Sequence, residues 1–340
     1  MYKIKLYKEI LEYFQDDLDA LDLKLKSLLF ENRCTGLNSD SQAFMDDIEH
    51  FLFAKSKRLR PVVLFLIRNA LLGDMPLRDA LSDTAHKEGE NSLKDSDIQS
   101  TLQKINNLAA ALELLHSATL IHDDIIDEAH LRRGMETFNI KYNPHIATIA
   151  GDYLLSLCLK VLSKIGYCEI FSYFAENTLN ICNGEIDQFF NKNKAVTIET
   201  YLNKSKDKTS SLFMAGVKSL LYLIDKEIKP IDDETKKGIL GYTLNFSLGF
   251  QIYDDIENFA NENNEKASSD IENGIYTLPY LYLLQQEGFY GMIDADLHND
   301  ALSFSKEYLN KILDEAIKHA DDAKIHDKSL LIKLIEVFKD

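Results

Sequence analysis

Apolar residues recur with helical spacing along most of this chain. Near its start they predict one buried helix face, made of Ile10, Tyr13, Phe14, Leu18, Leu21 and Leu25. Longer apolar segments cover residues 104–127, 146–165, 201–224 and 236–259. Only 14 glycines and 5 prolines interrupt the 340 residues, and no segment shows convincing strand alternation. Because glycine and proline end helices, their scarcity predicts an all-α fold with a large core.

Composition limits the classes of partner. The formal net charge of −17 argues against a nucleic-acid partner, which normally needs a basic protein face. The N-terminus lacks a signal-peptide pattern, and no uninterrupted apolar run is long enough to span a membrane. The cysteines lack CxxC pairs and His–Cys metal spacing, so we interpret them as reduced thiols in a cytoplasmic protein without a transmembrane segment. They are Cys34, Cys158, Cys168 and Cys182.

No Pro/Gly/Ser-rich linker divides the chain, so residues 1–340 are expected to form a single domain. One segment differs from the rest, because residues 75–100 are polar and charged. This composition predicts an exposed, flexible insertion between helices.

Three aspartates interrupt an apolar helical run in the segment LLHSATLIHDDIIDEAHLRRG. Asp123 and Asp127 are four residues apart, which places both carboxylates on one helix face, and Asp124 lies between them. Like charges at this spacing destabilise a helix by roughly 0.2–0.5 kcal/mol per pair, so a positive partner is expected. Oxygen ligands alone suit a hard cation such as Mg²⁺, which bridges carboxylates to substrate phosphates.

A second acidic pair, Asp254 and Asp255, ends another apolar run, and Gln188 adds a polar group to a further one. Spacing alone leaves two interpretations open: solvated helix faces, or a site for metal and phosphate. Basic residues favour the second, since arginine and lysine both bind phosphate oxygens. These basic residues are Lys57, Arg58, Arg60, Arg132, Arg133, Lys208 and Lys266.

Several motifs together resemble the trans-isoprenyl (polyprenyl) diphosphate synthases. LIHDDIIDEAHLRRG is similar to the family's first aspartate-rich motif, DDxxD followed by an arginine pair. KSKRLRP resembles GKRxRP, and FQIYDDIEN resembles the second aspartate motif. The segments ALELLH, GEIDQ, DKT and NGIYTLP also occur in the family's order.

The resemblance implies an all-α, isoprenoid synthase-type bundle of roughly a dozen helices around a deep central cavity, assembled as a homodimer. It implies a prenyltransferase that condenses isopentenyl diphosphate with an allylic prenyl diphosphate. The expected steps are Mg²⁺-assisted ionisation of the allylic substrate, condensation and proton loss. Three Mg²⁺ ions are expected when diphosphate is bound.

The resemblance also implies roles for individual residues. The expected metal ligands are Asp123, Asp124, Asp127, Gln188, Asp254 and Asp255. Isopentenyl diphosphate would be held by Lys57, Arg60, His116 and Arg133. The allylic diphosphate would be held by Arg132, Lys208 and Lys266, and catalysis would depend on Lys208, Thr209, Gln251 and Lys266. Ala118 and Thr119 occupy the positions that set chain length, and their small size predicts an all-trans product of C20 or longer, as for a geranylgeranyl diphosphate synthase.

The chain departs from the family pattern where Ser56 replaces a glycine, Asn258 an aspartate and Ile275 a lysine. Two alternatives share part of the pattern. A class I terpene cyclase would not need an isopentenyl diphosphate site. A non-catalytic subunit of a heteromeric prenyl synthase usually has a damaged first aspartate motif, which is intact here.

Overall fold

A computed structural model describes residues 2–33, 38–54, 56–73, 92–190, 197–260, 276–286 and 295–339, without the side chains of residues 2, 92–96 and 188. The chain forms two compact units. The first unit comprises Leu11–Phe171 and Ser219–Pro230. The second unit comprises Met1–Ile10, Ser172–Lys218 and Ile231–Asp340. The single domain expected for residues 1–340 stays a prediction.

Helices make up nearly all of the described secondary structure, which confirms the predicted all-α class. In chain order they are α1 (Tyr2–Tyr13), α2 (Gln15–Asn32), α3 (Ser39–Phe53), α4 (Leu59–Leu72), α5 (Ser92–Ile126), α6 (Phe138–Lys141), α7 (Pro144–Ile165), α8 (Cys168–Phe190), α9 (Ile198–Ser205), α10 (Ser211–Glu227), α11 (Asp233–Ala260), α12 (Leu278–Leu284), α13 (Ala295–Asp322) and α14 (Ser329–Phe338). A π-helical turn (Lys206–Ser210) lies between α9 and α10. Strands β1 (Leu131–Arg132) and β2 (Met135–Glu136) form a short hairpin.

Local sequence explains where two of the core helices begin and end. Helix α4 ends at Gly73, whose φ of 82° suits glycine and whose N–H donates to the carbonyl of Asn69 at 2.8 Å. Helix α7 begins at Pro144, a favoured residue for the first helical turn. The side chain of Asn143 caps this helix by accepting from the N–H of Ile146 at 3.0 Å.

The core of the first unit forms where α5 packs along α7, with α2 and α4 against α5. Leu108 and Leu112 on α5 are buried, and so are Leu154 and Val161 on α7. Among the described residues, α7 is the one helix long and apolar enough to span a membrane, but core helices can have the same length and composition. One face of α7 is buried in this unit, as expected for a core helix.

The core of the second unit forms where α11 packs along α13, with α14 nearby. Phe246 stacks on Tyr242 within α11 and meets the ring of Phe338 from α14 edge-on. Tyr242 is fully buried, and its hydroxyl donates to the carbonyl of Leu331 at 2.9 Å. This bond satisfies the one polar group of an otherwise apolar cluster.

Two details differ from the sequence-based expectations. Tyr13, predicted on a buried face, is about half exposed, because α1 ends there and the chain turns at Phe14 before α2 begins. The polar insertion predicted for residues 75–100 overlaps the start of α5 from Ser92 onward. Most of that segment, and also Cys34, lies outside the described residues, whereas the other cysteines are free thiols.

Candidate active site

The first acidic cluster lies at the C-terminal end of α5 in the first unit. Asp123 is half-buried and Asp127 is exposed, and the Asp127 N–H donates to the carbonyl of Asp123 at 2.8 Å. The carboxylates therefore share the last turn of the helix. The partial negative charge of a helix C-terminus disfavours carboxylates, so this end of α5 needs a positive partner.

Arg132 is one such partner. Its Nε lies 2.8 Å from Oδ1 of Asp124, and its Nη2 donates to the same oxygen. Asp124 is only 2% exposed. Burial raises the pKa of this carboxyl and the Arg132 guanidinium opposes that rise. Asp124 and Arg132 were predicted to contact metal and diphosphate respectively, and here they bind each other.

The arginine pair is presented by the β1–β2 hairpin. Leu131 pairs with Glu136 and Arg132 with Met135, which leaves Arg133 and Gly134 as a two-residue loop. Both have positive φ, 55° and 78°, as a type I′ turn requires. Glycine adopts this conformation readily, so Gly134 suits the second position of the turn, and Arg133 occupies the first. Strands of two residues are too short for the alternation by which sequences reveal strands.

His116 lies two helical turns before Asp123 on α5 and is half-buried. Burial holds its pKa well below the usual range, and the nearby charges of Arg60, Arg133 and Arg132 lower it further. Arg60 and Arg133 therefore lie close enough for their charges to act on His116. The role of these residues in binding isopentenyl diphosphate stays a prediction. Lys57 is exposed just before α4.

In the second unit, hydrogen bonds link Thr209, Gln251 and Asp255. The Thr209 hydroxyl donates to Oε1 of Gln251 at 2.7 Å, and Nε2 of Gln251 donates to Oδ1 of Asp255 at 2.9 Å. Tyr201 completes the chain by donating to Oδ2 of Asp255 at 2.5 Å. Asp254, next to Asp255, is half-buried.

Thr209 belongs to the π-helical turn, a distortion that occurs frequently at functional sites. Lys208 in the same turn forms an ion pair with Glu185 on α8. Three other positions were also predicted to serve the site or to depart from its pattern. Gln188 lies on α8, but the structure does not describe its side chain. Lys266 and Ile275 are not among the described residues.

Within the described ranges, no three His, Cys, Asp or Glu side chains are grouped closely enough to hold a metal ion by themselves. Mg²⁺ usually needs only one or two carboxylates, because it keeps waters and binds substrate phosphates. Asp123 and Asp127 offer oxygen donors of that kind on one helix turn. The donor set therefore fits Mg²⁺ bound jointly with a diphosphate.

Residues 41–303 match the model of the polyprenyl synthetase family, which is well over half of the chain. The chain belongs to this family. The predicted enzyme class, a polyprenyl diphosphate synthase that transfers prenyl groups, is confirmed.

The chain is also similar to individual named proteins. It is 27% identical over 283 residues to component 2 of the heptaprenyl diphosphate synthase of Bacillus subtilis, covering 82% of this chain and 70% of the relative. It is 30% identical over 281 residues to a prenyl transferase of Cyanophora paradoxa, covering 82% and 76%. The fold is similar to a Caulobacter crescentus polyprenyl synthase crystallised with calcium and isoprenyl diphosphate, with a TM-score of 0.68, 22% identity and coverage of 97% and 95%.

Sequence reasoning missed some residues that organise these motifs. Tyr201 gave no signal beyond its eight-residue separation from Thr209. Glu113 stands in the apolar run AAALELLH just before His116. A carboxylate in such a run needs a partner, so its burial could have been noticed.

Proposed function

We propose that this polyprenyl synthetase condenses isopentenyl diphosphate with an allylic prenyl diphosphate to give an all-trans product of C20 or longer. The observation that carries the proposal is the end of α5 with its hairpin. There, carboxylates for a cation (Asp123, Asp127) and guanidiniums for diphosphate (Arg132, Arg133) are held within a dozen residues of one chain segment. A helix end followed by a type I′ turn is a rigid base for such a site.

The proposed chemistry divides between ionisation and condensation. Asp123 and Asp127 would hold Mg²⁺, which would supply positive charge to stabilise the leaving diphosphate. Arg132, Lys208 and Lys266 would add positive charge around the same group. Departure of diphosphate leaves an allylic cation, and the Thr209–Gln251 bond would present oxygen dipoles to it.

Isopentenyl diphosphate would be held by Lys57, Arg60, His116 and Arg133. A neutral imidazole at His116 still donates one N–H to a phosphate oxygen, so its lowered pKa is compatible with this role. The double bond of isopentenyl diphosphate attacks the allylic cation and forms the new carbon–carbon bond. The proton then lost from the condensed intermediate would pass to the departing diphosphate.

Two ion pairs within the protein would break when the allylic diphosphate binds, because their cations would bind phosphate oxygens instead. Lys208 is paired with Glu185, and Arg132 with Asp124. Diphosphate carries more charge than either carboxylate, so it would compete for both cations. Asp124 would then be free to bind the metal. Gln188, Asp254 and Asp255 are the other proposed metal ligands, for a total of three ions.

The proposed product length depends on Ala118 and Thr119. Ala118 is almost fully buried on α5. Thr119 is half-buried, and its hydroxyl donates to the carbonyl of His116 at 2.8 Å. Neither side chain is bulky enough to close a product channel, which supports a long chain.

We further propose a homodimer. Ile149 and Leu159 are exposed apolar side chains on α7, a composition that suits a subunit interface. The Bacillus subtilis relative is named as component 2 of its synthase, so a heteromeric assembly is the alternative. Light scattering of the purified chain distinguishes a dimer from a monomer that needs a partner.

The function is tested by incubating the purified chain with Mg²⁺, isopentenyl diphosphate and either geranyl or farnesyl diphosphate. Mass spectrometry then measures the chain length of the products. A ladder that ends at one dominant length supports the proposal. Cyclic hydrocarbon from farnesyl diphosphate alone would indicate a cyclase, and no turnover by the chain alone would indicate a subunit that requires a partner.

A further inference from the structure

Arg58 lies in an unusual backbone conformation just before α4. Its φ of 47° is in the left-handed region, which non-glycine residues rarely adopt. Its side chain is only 12% exposed. A strained backbone and a buried cation at one residue indicate that the surrounding structure fixes this position for a reason.

The guanidinium of Arg58 joins three elements of the first unit. Nη1 donates to Oε2 of Glu113 on α5 at 2.6 Å. Nη2 donates to Oδ1 of Asp22 on α2 at 3.1 Å and to the carbonyl of Leu52 on α3 at 3.2 Å. Glu113 is the more buried of the two carboxylates, since its side chain is 5% exposed and that of Asp22 is 43% exposed.

The two partners of the strongest bond flank residues of the proposed isopentenyl diphosphate site. Arg58 stands between Lys57 and Arg60, and Glu113 is one helical turn before His116. The Arg58–Glu113 bond therefore connects the segment that carries two of the four phosphate-binding residues to the helix that carries a third. Neither Arg58 nor Glu113 is among the residues proposed to contact substrate.

Glu113 also influences the fourth residue. Desolvation lowers the pKa of Arg133, and the Glu113 carboxylate opposes that effect. A buried carboxylate that loses its partner takes another cation or a proton, because an isolated buried charge is costly. Without Arg58, Glu113 would be expected to draw Arg133 away from a diphosphate.

We propose that Arg58 and Glu113 are a positioning pair for isopentenyl diphosphate. The pair holds the Lys57–Arg60 segment, His116 and Arg133 in their binding arrangement without contacting the substrate. This inference rests on the proposed function and names the residues that organise one of its two substrate sites.

A second buried ion pair provides a matched control. Nη1 and Nη2 of Arg68 on α4 donate to the two carboxylate oxygens of Asp17 on α2 at 2.8 and 2.7 Å. Arg68 and Asp17 are at least as buried as Arg58 and Glu113, lie in the same unit and join α4 to α2. Neither residue belongs to the proposed substrate sites, so breaking this pair reports the structural cost alone.

The test uses Glu113→Gln and Arg58→Gly, with Asp17→Asn as the control. Glutamine keeps the size of glutamate, and glycine suits the positive φ at position 58. KM for isopentenyl diphosphate, KM for farnesyl diphosphate, kcat and the denaturation midpoint are measured for each. We expect the isopentenyl diphosphate KM to rise about tenfold in both variants, while the farnesyl diphosphate KM stays within about twofold. Asp17→Asn should lower only the denaturation midpoint.

Whether KM for isopentenyl diphosphate rises or falls in Glu113→Gln decides the test. Removing a negative charge beside an anionic substrate would by itself tighten binding, so a weaker affinity can come only from lost positioning. An unchanged or lower KM, or an equal rise for both substrates, overturns the inference. Calorimetric binding of isopentenyl diphosphate to each variant gives the same comparison without turnover. If the wild type binds the substrate but condenses nothing, the proposed function fails and this comparison still decides the inference.

Discussion

Tyr201 on α9 donates a hydrogen bond to Asp255 on α11, with 2.5 Å between the phenol oxygen and Oδ2. Gln251 donates to the other oxygen of the same carboxylate. Asp255 is 6% exposed, so its charge is compensated from inside the second unit. Burial and the Asp255 carboxylate both raise the pKa of Tyr201, which keeps the phenol protonated and able to donate.

Tyr201→Phe removes one donor from a buried carboxylate, so the free energy of unfolding should fall by about 1–3 kcal/mol. Asp255 would also turn more freely beside Asp254, so the Mg²⁺ concentration for half-maximal activity should rise several-fold. A Mg²⁺ titration of the initial rate measures that concentration, and Mn²⁺ binding followed by electron paramagnetic resonance checks it without turnover.

Tyr142→Phe is the matched control. The Tyr142 phenol also donates to a carboxylate, Oδ2 of Asp47 at 2.5 Å, but both residues lie in the first unit and neither belongs to an aspartate motif. This variant should lose stability with an unchanged Mg²⁺ requirement. Identical Mg²⁺ curves for the Tyr201 and Tyr142 variants would contradict the role given to Tyr201.

Gly151 lets α7 approach α5 beside the first aspartate motif. A Cβ at this position would lie 2.3 Å from Nε2 of His122, the residue before Asp123. Gly151→Ala must therefore displace the His122 ring, and overpacking of this kind costs about 1–3 kcal/mol. We expect the unfolding free energy to fall by that amount and kcat to fall at least about tenfold.

Gly241→Ala creates a similar clash elsewhere, because its Cβ would lie 2.5 Å from the ring of His319 in the second unit. Denaturant unfolding and initial rates are compared for the two variants. Both should be destabilised, but only Gly151→Ala should lose most of its activity. If the rate falls equally in both, the loss reflects instability and not the position of Asp123.

His116 predicts a pH dependence of stability. Burial and neighbouring arginines hold its pKa well below the ordinary value, so the folded protein keeps a neutral imidazole where an unfolded chain takes up a proton. Since the unfolded state then binds more protons, the free energy of unfolding should fall as the pH drops below about 6.5, by up to about 1.4 kcal/mol per pH unit.

His116→Gln should remove this part of the slope, whereas replacing the exposed His145 by glutamine should leave it. Chemical denaturation between pH 5 and 8 measures both slopes. Parallel stability curves for wild type and His116→Gln would mean that His116 titrates alike in the folded and unfolded chains.

Ala118→Phe tests the product-length proposal. A benzyl group in a well-packed site costs about 1–3 kcal/mol, but it is tolerated where the side chain can enter a channel. We expect the longest product to become shorter by one or more isoprene units, as measured by mass spectrometry. Thr119→Ala, which removes the hydroxyl and the γ-methyl group and adds no bulk, is the control and should not shorten the product. The same ladder in wild type and Ala118→Phe would remove Ala118 from the channel floor.

Most of the fold could be predicted from the sequence because helical periodicity is a local property. The segment 146–165 became α7, as its apolar spacing indicates. The short hairpin at Arg132 could not be predicted, since two-residue strands carry no alternation. Tyr13 was placed wrongly because spacing defines a face but does not reveal where one helix stops and the next begins.

The residue types of the site could be predicted from the sequence, but most of the hydrogen bonds between them could not. DDxxD and RRG indicate a cation and diphosphate, because those ligands require carboxylates and guanidiniums. The bond between Arg58 and Glu113 spans 55 positions of the chain, and that between Tyr201 and Asp255 spans 54. Such pairs depend on how helices pack, so a one-dimensional pattern gives no direct sign of them.

The most direct test of the account is the rate at which the purified chain alone incorporates isopentenyl diphosphate into product, with farnesyl diphosphate as primer. The rate is measured with Mg²⁺, with excess EDTA, and with Mg²⁺ for Asp123→Asn. We predict turnover that EDTA abolishes and added Mg²⁺ restores, and a rate at least about a hundredfold lower in the variant. Equal rates with EDTA, or an undiminished rate for Asp123→Asn, would contradict a metal–diphosphate site at the end of α5.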